Sequence, residues 1–440
     1  MRTKIKLIKV FLVTVLLLSG CMRTVDQMYR LPKRSEMFTE LQSAIDDAML
    51  GLSYCAPTAG ENQQAVQLAD LNGDGVEEFL LFAKADAEHP LRVLVFKQSV
   101  DSFELVQTIE SNGTVFDMVE YADMDGNPGL EIIFGSQLSD QLLRNVCVYT
   151  FSEALEMQLL VSANYTKFLC TDLDDDDRSE LFVLKPGSSA TDNGFAELYS
   201  IQNGKVERTT EIKMSGQTDK LKRILVGKIV DGIPAVYVAT TVSDNALITD
   251  IYIYQNGNLR NIALSKDSDT SVRTLRNYYV FADDIDGDDV VELPYLMPMM
   301  PMDKMVSASK QELIRWYALD AAGNEVVKAY TFHSFIDGWY MELDEEWAAR
   351  LTVQDVDNTY EFYIWDHDYV NAEKVLTIYA HSGQNHSSAD LDTDHVMLAE
   401  SENVWYTAKI EEDAINHKLS PEYISTHFHL IRQAWKTGET

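Results

Sequence analysis

The chain has 440 residues, 46% of them hydrophobic and only 10 of them proline, which is ample core material for two folded domains. Its formal charge of −34 excludes nucleic acid and anionic lipid surfaces as electrostatically attracted partners. Beyond residue 21 only Cys55, Cys147 and Cys170 remain, too few for a disulfide framework; at most one pair can form, and the sequence does not choose it.

In chain order, Arg2, Lys4, Lys6 and Lys9 precede an apolar run from Val10 to Leu18, followed by Ser19, Gly20 and Cys21. The run is shorter than the roughly 18 residues needed to span a bilayer, and the small pair before Cys21 suits a signal peptidase. Leu18-Ser19-Gly20-Cys21 resembles the bacterial lipoprotein signal. That resemblance implies cleavage after residue 20 and acylation of Cys21, so that the mature chain, now at −38 without the four signal cations, works on the extracytoplasmic side of a cell membrane. Residues 21–35 then read as a tether. Residues 36–51 read as an amphipathic helix with Met37, Leu41, Ile45 and Met49 on one face, stopped by Gly51.

The most informative pattern is a repeat. Asp70-Leu-Asn72-Gly-Asp74-Gly75-Val-Glu-Glu78 returns as Asp123-Met-Asp125-Gly-Asn127-Pro-Gly-Leu-Glu131, as Asp172-Leu-Asp174-Asp-Asp176-Asp-Arg-Ser-Glu180, and as Asp284-Ile-Asp286-Gly-Asp288-Asp-Val-Val-Glu292. Oxygen-bearing side chains stand at positions 1, 3 and 5, with Glu at position 9. A fourth member is expected midway between residues 172 and 284. Lys228-Ile-Val-Asp231-Gly232-Ile-Pro-Ala stands there with the flanking apolar runs and without the ligands.

Each motif lies between short apolar, β-branched or aromatic runs, about four per 50 residues, as in a propeller blade that must stack on its neighbours to bury its faces. The predicted architecture is mainly β: a propeller of five or more four-stranded blades over residues 57–330, then a small α+β domain over 331–440. Alternate oxygen donors in a tight turn suit a hard cation, and calcium fits best. The four nine-residue windows hold 18 of the chain's 70 carboxylates, a crowding that a bound divalent ion relieves. The turns resemble the FG-GAP or VCBS-type repeats of integrin-α-like propellers, matching that family's ligand positions residue by residue over roughly residues 60–330. The resemblance implies structural calcium in each turn. Asp177 in place of glycine, Pro128 in the second turn and the whole fourth turn depart from the pattern.

After the fifth unit the composition changes: all six Trp lie beyond residue 315 and eight of nine His beyond residue 330. Strands are predicted at 339–343, 349–353, 360–365, 375–379, 396–399 and 404–410. Ser420-Pro421-Glu422 predicts the start of a helix running through Ile424, Phe428 and Ile431.

Other features invite competing readings. Met297, Met299, Met300 and Met302 suit either Cu(I) or, more naturally, an adaptable protein-binding loop. His367, His381, His386, His395, His427 and His429, with Asp366 or Asp394, offer zinc ligands, but none has the spacing of a zinc hydrolase and scattered surface histidines explain them better. Asp390-Leu-Asp392-Thr-Asp394 begins like a calcium turn and then loses the pattern. The catalytic signatures of serine hydrolases, zincins and phosphate-binding loops are absent from the sequence. The reading is therefore a lipid-anchored, calcium-stabilised propeller that binds a protein or glycan at the envelope. Its alternative is a carbohydrate-active propeller, of glycoside hydrolase or polysaccharide lyase type, with its site in a central channel.

Overall fold

The computed structural model describes residues 36–431 except 87, 100–101, 139–142, 190, 203, 244–245, 278–279, 300–311, 357–358, 366–371, 383–393, 402–403 and 412–418. Cys21, Met300, Met302, His367, His386, Asp366, Asp390 and Asp392 therefore lie outside the described residues. The protein is mainly β, built from antiparallel sheets with few helices.

Helix α1 (Glu36–Ala48) leads into the first sheet: β1 (Leu52–Tyr54), β2 (Val66–Ala69), β3 (Glu78–Ala85), β4 (Leu91–Gln98) and β5 (Phe103–Ser111). The second is the meander β6 (Val115–Ala122), β7 (Glu131–Gln137), β8 (Arg144–Phe151) and β9 (Met157–Tyr165). The third holds β10 (Lys167–Thr171), β11 (Glu180–Lys185), β12 (Phe195–Gln202) and β13 (Lys205–Arg208), with β14 (Ile212–Lys213) also on β12. The fourth is β15 (Leu221–Lys228), β16 (Pro234–Ser243), β17 (Ala246–Gln255) and β18 (Asn258–Asn261). The fifth runs through β19 (Leu293–Pro298), β20 (Glu312–Leu319), β21 (Glu325–Ser334) and β22 (Trp339–Leu343).

Strands β3, β7, β11 and β16 are nearly continuous apolar runs because both of their faces are covered. One cluster, including Leu80, Phe82, Phe116 and Phe134, joins the first sheet to the second, and Phe82, Phe116 and Phe134 meet edge to face at 5.0 and 5.7 Å. Met118, Val148, Phe168 and Val183 join the second to the third, Phe182, Leu198, Val236 and Tyr252 the third to the fourth, and Tyr237, Ile251, Leu293 and Tyr317 the fourth to the fifth. The outer face of the first sheet packs on α1 through Leu81, Phe96, Leu41, Ile45 and Met49, as the apolar stripe of the helix requires. Gly51, at φ +80°, ends that element.

Beyond β22 come α2 (Glu345–Ala348) and a sixth sheet of β23 (Leu351–Val356), β24 (Thr359–Ile364), β25 (Glu373–Ser382), β26 (His395–Glu400) and β27 (Val404–Ile410). Then α3 (Pro421–His427) leads into β28 (Phe428–Leu430), which returns to pair with β22. One expectation, the length of the last helix, is corrected here. The predicted boundary at 330/331 falls within β21, and residues 339–343 belong to the fifth sheet, which β28 then extends at the edge of β22. The aromatic enrichment that suggested the boundary belongs to the cluster shared by sheets five and six, where Trp339, Trp347, Tyr360, Phe362 and Phe428 pack together. The last helix starts as predicted, with Ser420 Oγ accepting from Tyr423 N–H at 3.1 Å, but stops at His427. Phe428 leaves it as strand because its ring stacks on Trp339, centroids 5.2 Å apart, at the free edge of β22.

Candidate metal-binding turns

The four sequence motifs occupy equivalent places. Three are the hairpin turns β2–β3, β6–β7 and β10–β11, each closed by a backbone pair between the residue before position 1 and the position-9 Glu: Ala69–Glu78, Ala122–Glu131 and Thr171–Glu180. The last lies just ahead of β19 and is closed by the bridge Asp283–Glu292.

Within each turn the position-1 aspartate organises the backbone. Asp70 accepts from Gly73 N–H at 2.8 Å and Gly75 N–H at 2.9 Å, and Asp123 from Gly126 N–H at 2.7 Å. Asp172 accepts from Asp175 N–H at 2.7 Å and Asp177 N–H at 2.9 Å, and Asp284 from Gly287 N–H at 2.7 Å and Asp289 N–H at 3.0 Å. Position 4 in every turn, and position 6 in all but the second, where Pro128 stands, adopt the left-handed conformation, which glycine takes freely and aspartate tolerates better than most residues. Asp175, Asp177 and Asp289 sit there at φ +63°, +65° and +66°. The departure at Asp177 therefore leaves the third turn's bend intact.

The position-9 glutamates are buried, between 0% and 2% exposed, although the motif alone marks them only as ligands. In every turn one carboxylate oxygen accepts the N–H of position 2: Leu71 to Glu78 at 3.0 Å, Met124 to Glu131 at 2.8 Å, Leu173 to Glu180 at 2.8 Å and Ile285 to Glu292 at 3.0 Å. Burial pushes the carboxyls of Glu131 and Glu292 up to about 7 and that of Glu180 to about 8, with neighbouring aspartates adding to the rise; Glu78 is raised for the same reasons. Burial, then repulsion from acidic neighbours, likewise raises Asp174 and Asp286.

Three turns gather carboxylate oxygens within 4.8 Å of one another, from Asp123, Asp125 and Glu131, from Asp172, Asp174 and Glu180, and from Asp284, Asp286 and Glu292. These groups are able to hold a metal ion. In the first turn Asn72 supplies an amide instead, its oxygen accepting Asp74 N–H at 3.1 Å. Position 5 is drawn to a neighbour: Asp74 pairs with Lys97 at 3.2 Å, Asp288 with Lys328 at 2.6 Å, Asp176 with Arg178, and Asn127 donates to Asp125 at 2.7 Å. Hydrogen bonds from Val76 N–H and Asn72, then the Lys97 pair, hold Asp74 below the usual carboxylate range, and the Lys328 pair, with Val290 N–H, does the same for Asp288. Lys97 and Lys328, far away in sequence, were not legible as partners; Arg178 at position 7 of its own motif was the one available signal.

A hard oxygen-seeking cation fits the set on a further ground. Glu292 is fully buried, and its second carboxylate oxygen accepts no hydrogen bond among the described residues. Lys328 Nζ stands 4.0 Å from it but is engaged by Asp288. A buried anionic oxygen facing two aspartates is costly until a cation meets it.

The fourth turn is closed by the pair Lys228–Pro234, leaving five residues where the first three turns have eight. It has no room for a ligand loop, and a cleft of about 430 Å³ opens there, lined among others by Asp172, Asp175, Lys228, Pro234, Asp284 and Asp289.

The other candidates disperse. Met297 and Met299 are half-buried against the core shared by sheets five and six. His381 stacks on Trp405 at 4.2 Å and shares a 3.0 Å hydrogen bond with Thr407, while His395 stacks on Tyr379 at 4.8 Å. His427 stacks on Tyr423, His429 faces Glu342 at 3.3 Å, and Asp394 pairs with Lys409 at 2.7 Å. Among the described residues no histidine joins a metal-holding group. Cys55, Cys147 and Cys170 are free thiols.

Fold and turns together define a mainly β protein of antiparallel sheets carrying acidic turns at which a metal ion can sit. No family model and no curated protein matches the sequence. Among solved structures, a crystal structure of a protein from Lactobacillus plantarum is similar over 73% of this chain and 86% of that one, at 10% identity and a TM-score of 0.29, too low to carry an argument. Among the described residues no helix is long and apolar enough to cross a membrane.

Proposed function

We propose that the chain is a β-propeller braced by calcium, held by a lipid at Cys21 on the extracytoplasmic side of a cell membrane, and used as a scaffold that binds a protein or glycan of the envelope. The observation that carries the reading is the recurrence of one turn: a position-1 aspartate capping the bend, carboxylates within 4.8 Å, and a buried glutamate held by the N–H of position 2. Carboxylate, amide and backbone oxygens in an irregular cage suit calcium, which accepts six to eight flexible oxygen ligands, better than magnesium, which demands a near-ideal octahedron. Bound calcium supplies positive charge that offsets the crowded carboxylates. Asp123, Asp125 and Glu131 would hold it in one turn, and their counterparts elsewhere. Anchoring rests on the signal-like segment ending at Cys21.

Metal analysis of the dialysed protein is the direct test. Three or four calcium ions per chain are expected, with copper and zinc near zero; a metal-free protein that keeps its melting temperature in chelator refutes the reading. Radiolabelled palmitate incorporation lost on Cys21→Ser tests the anchor. A glycan array run beside a polysaccharide-degradation panel tests the scaffold role, and turnover without stoichiometric binding counts against it.

A further inference from the structure

We infer that calcium loading of the first three turns is coupled, each turn ordering the next through a backbone hydrogen bond, while the last turn loads independently. The inference rests on the calcium reading above. Leu130 N–H donates to the carbonyl of Asp70 at 3.0 Å, and Ser179 N–H donates to the carbonyl of Asp123 at 2.8 Å. In both cases the donor directly precedes a position-9 glutamate, and the acceptor is the position-1 aspartate of the preceding turn. A third bond of the same kind, Val291 N–H to the carbonyl of Lys228 at 3.0 Å, ties the last turn to the fourth, where lysine stands in place of the aspartate.

Side-chain packing follows the same row. A Cβ on Gly73 would lie 2.4 Å from Pro128 Cβ, and one on Gly126 would lie 3.1 Å from Arg178 Cδ, so each of these turns rests against the next.

Asp70 thus serves two turns, its carboxylate facing one cation and its carbonyl anchoring the neighbouring turn one residue before Glu131. Without the cation, the carboxylates of the first turn repel and the turn loosens. The acceptor of Leu130 N–H then shifts, and the second turn must be ordered at its own expense. A cation in the first turn removes that cost, and by linkage a cation in the second favours the first equally. The row continues to the third turn through Asp123 and Ser179, and it breaks at the fourth because Lys228 attracts no cation. One backbone hydrogen bond per link corresponds to about a two- to twelve-fold change in affinity.

The test is calcium titration of the full chain followed by methyl NMR. Leu71, Met124 and Ile285, the position-2 residues of the first, second and last turns, serve as reporters. Glu78→Gln removes a carboxylate from the first turn and keeps an oxygen for Leu71 N–H. It is expected to raise the calcium midpoint at Met124 by about two- to twelve-fold and to leave Ile285 unmoved. Asp125→Asn in the second turn is expected to do the same at Leu71, so misfolding of one variant leaves the other informative. Unshifted midpoints at Met124 and Leu71, with a normal response at Ile285, overturn the coupling and leave the calcium reading standing. Equal shifts at all three reporters also overturn it, since they mark general loosening. Reporters that ignore calcium in the unaltered chain overturn the calcium reading, and the coupling with it.

Discussion

Chelation is the perturbation whose size follows most directly from the turns. Two carboxylates 4.8 Å apart repel by about 3.5 kcal/mol at an effective dielectric of 20, and three of the turns hold three such groups each. A cation that binds only the folded chain adds about 2.7 kcal/mol per site when its free concentration is a hundred times its dissociation constant. Four loaded turns therefore stabilise the protein by about 11 kcal/mol under those conditions. At about 2.1 cal/mol/K of unfolding entropy per residue, a chain of this length melting as one unit loses about 0.9 kcal/mol per degree. The melting temperature should accordingly fall by about 12 °C on going from excess calcium to EGTA. Differential scanning calorimetry reads this directly, with magnesium as the control that restores little. Coincident curves in calcium and EGTA would show that the turns need no ion, and the reasoning from crowded carboxylates would be wrong.

Gly73→Ala and Gly75→Ala share a left-handed backbone, at φ +72° and +81°, but the new Cβ meets Pro128 in the first case and nothing within 4 Å in the second. Denaturant melts should show a loss of about 1–2 kcal/mol for Gly75→Ala and clearly more for Gly73→Ala; equal losses refute the packing of the two turns. Burial raises the carboxyl of Glu120 above its unfolded value, despite the Cys170 N–H that donates to it at 3.2 Å. Its folded form therefore favours the proton, so the contribution to stability is complete below the unfolded value and disappears as pH rises through the folded one. Glu120→Gln should flatten that slope and raise the melting temperature at pH 8 but not at pH 4, and a gain at both would exclude the charge as its cause. Asp250→Ala strands four donors in a buried site and should cost on the order of 4 kcal/mol or more by urea melt, in calcium and in EGTA alike. A loss confined to one of those conditions would tie Asp250 to the ion.

The sequence carried the acidic turns because their chemistry is local. Position 1 caps position 4, and in three of the turns position 6 as well, within five residues, and position 9 follows within eight, so Asp172 and Glu180 are legible without knowing the fold. Apolar runs around them gave the strands, since β3 and β11 are buried on both faces. What depends on distant partners was hidden. Lys97 and Lys328 reach position-5 aspartates from β4 and β21, and Phe428 becomes strand only because Trp339 offers a ring to stack on. Composition reports which residues fill one core, and Trp339 and Trp347 belong to the core that sheets five and six share.

The fourth sheet shows why one repeat dispenses with its ligands. A buried carboxylate persists only if its oxygens are met by donors or by a cation. In the last turn Glu292 has one oxygen met by Ile285 N–H and the other left without a hydrogen bond, which a cation would satisfy. In the fourth sheet the fully buried anion is Asp250 instead, and protein donors satisfy both of its oxygens. Ser215 N–H reaches one at 2.8 Å, while Ser215 Oγ at 2.5 Å, Asn261 Nδ2 at 2.8 Å and Ser271 Oγ at 2.6 Å converge on the other. Those donors come from the link after β14, from β18 and from the segment beyond it, so the network fastens the fourth sheet to its surroundings across long stretches of chain. With that fastening made by hydrogen bonds, the turn between β15 and β16 can shorten to five residues and keep a single acid, Asp231. The break in the repeat therefore coincides with an independent means of holding the sheet, and metal dependence should be weakest there.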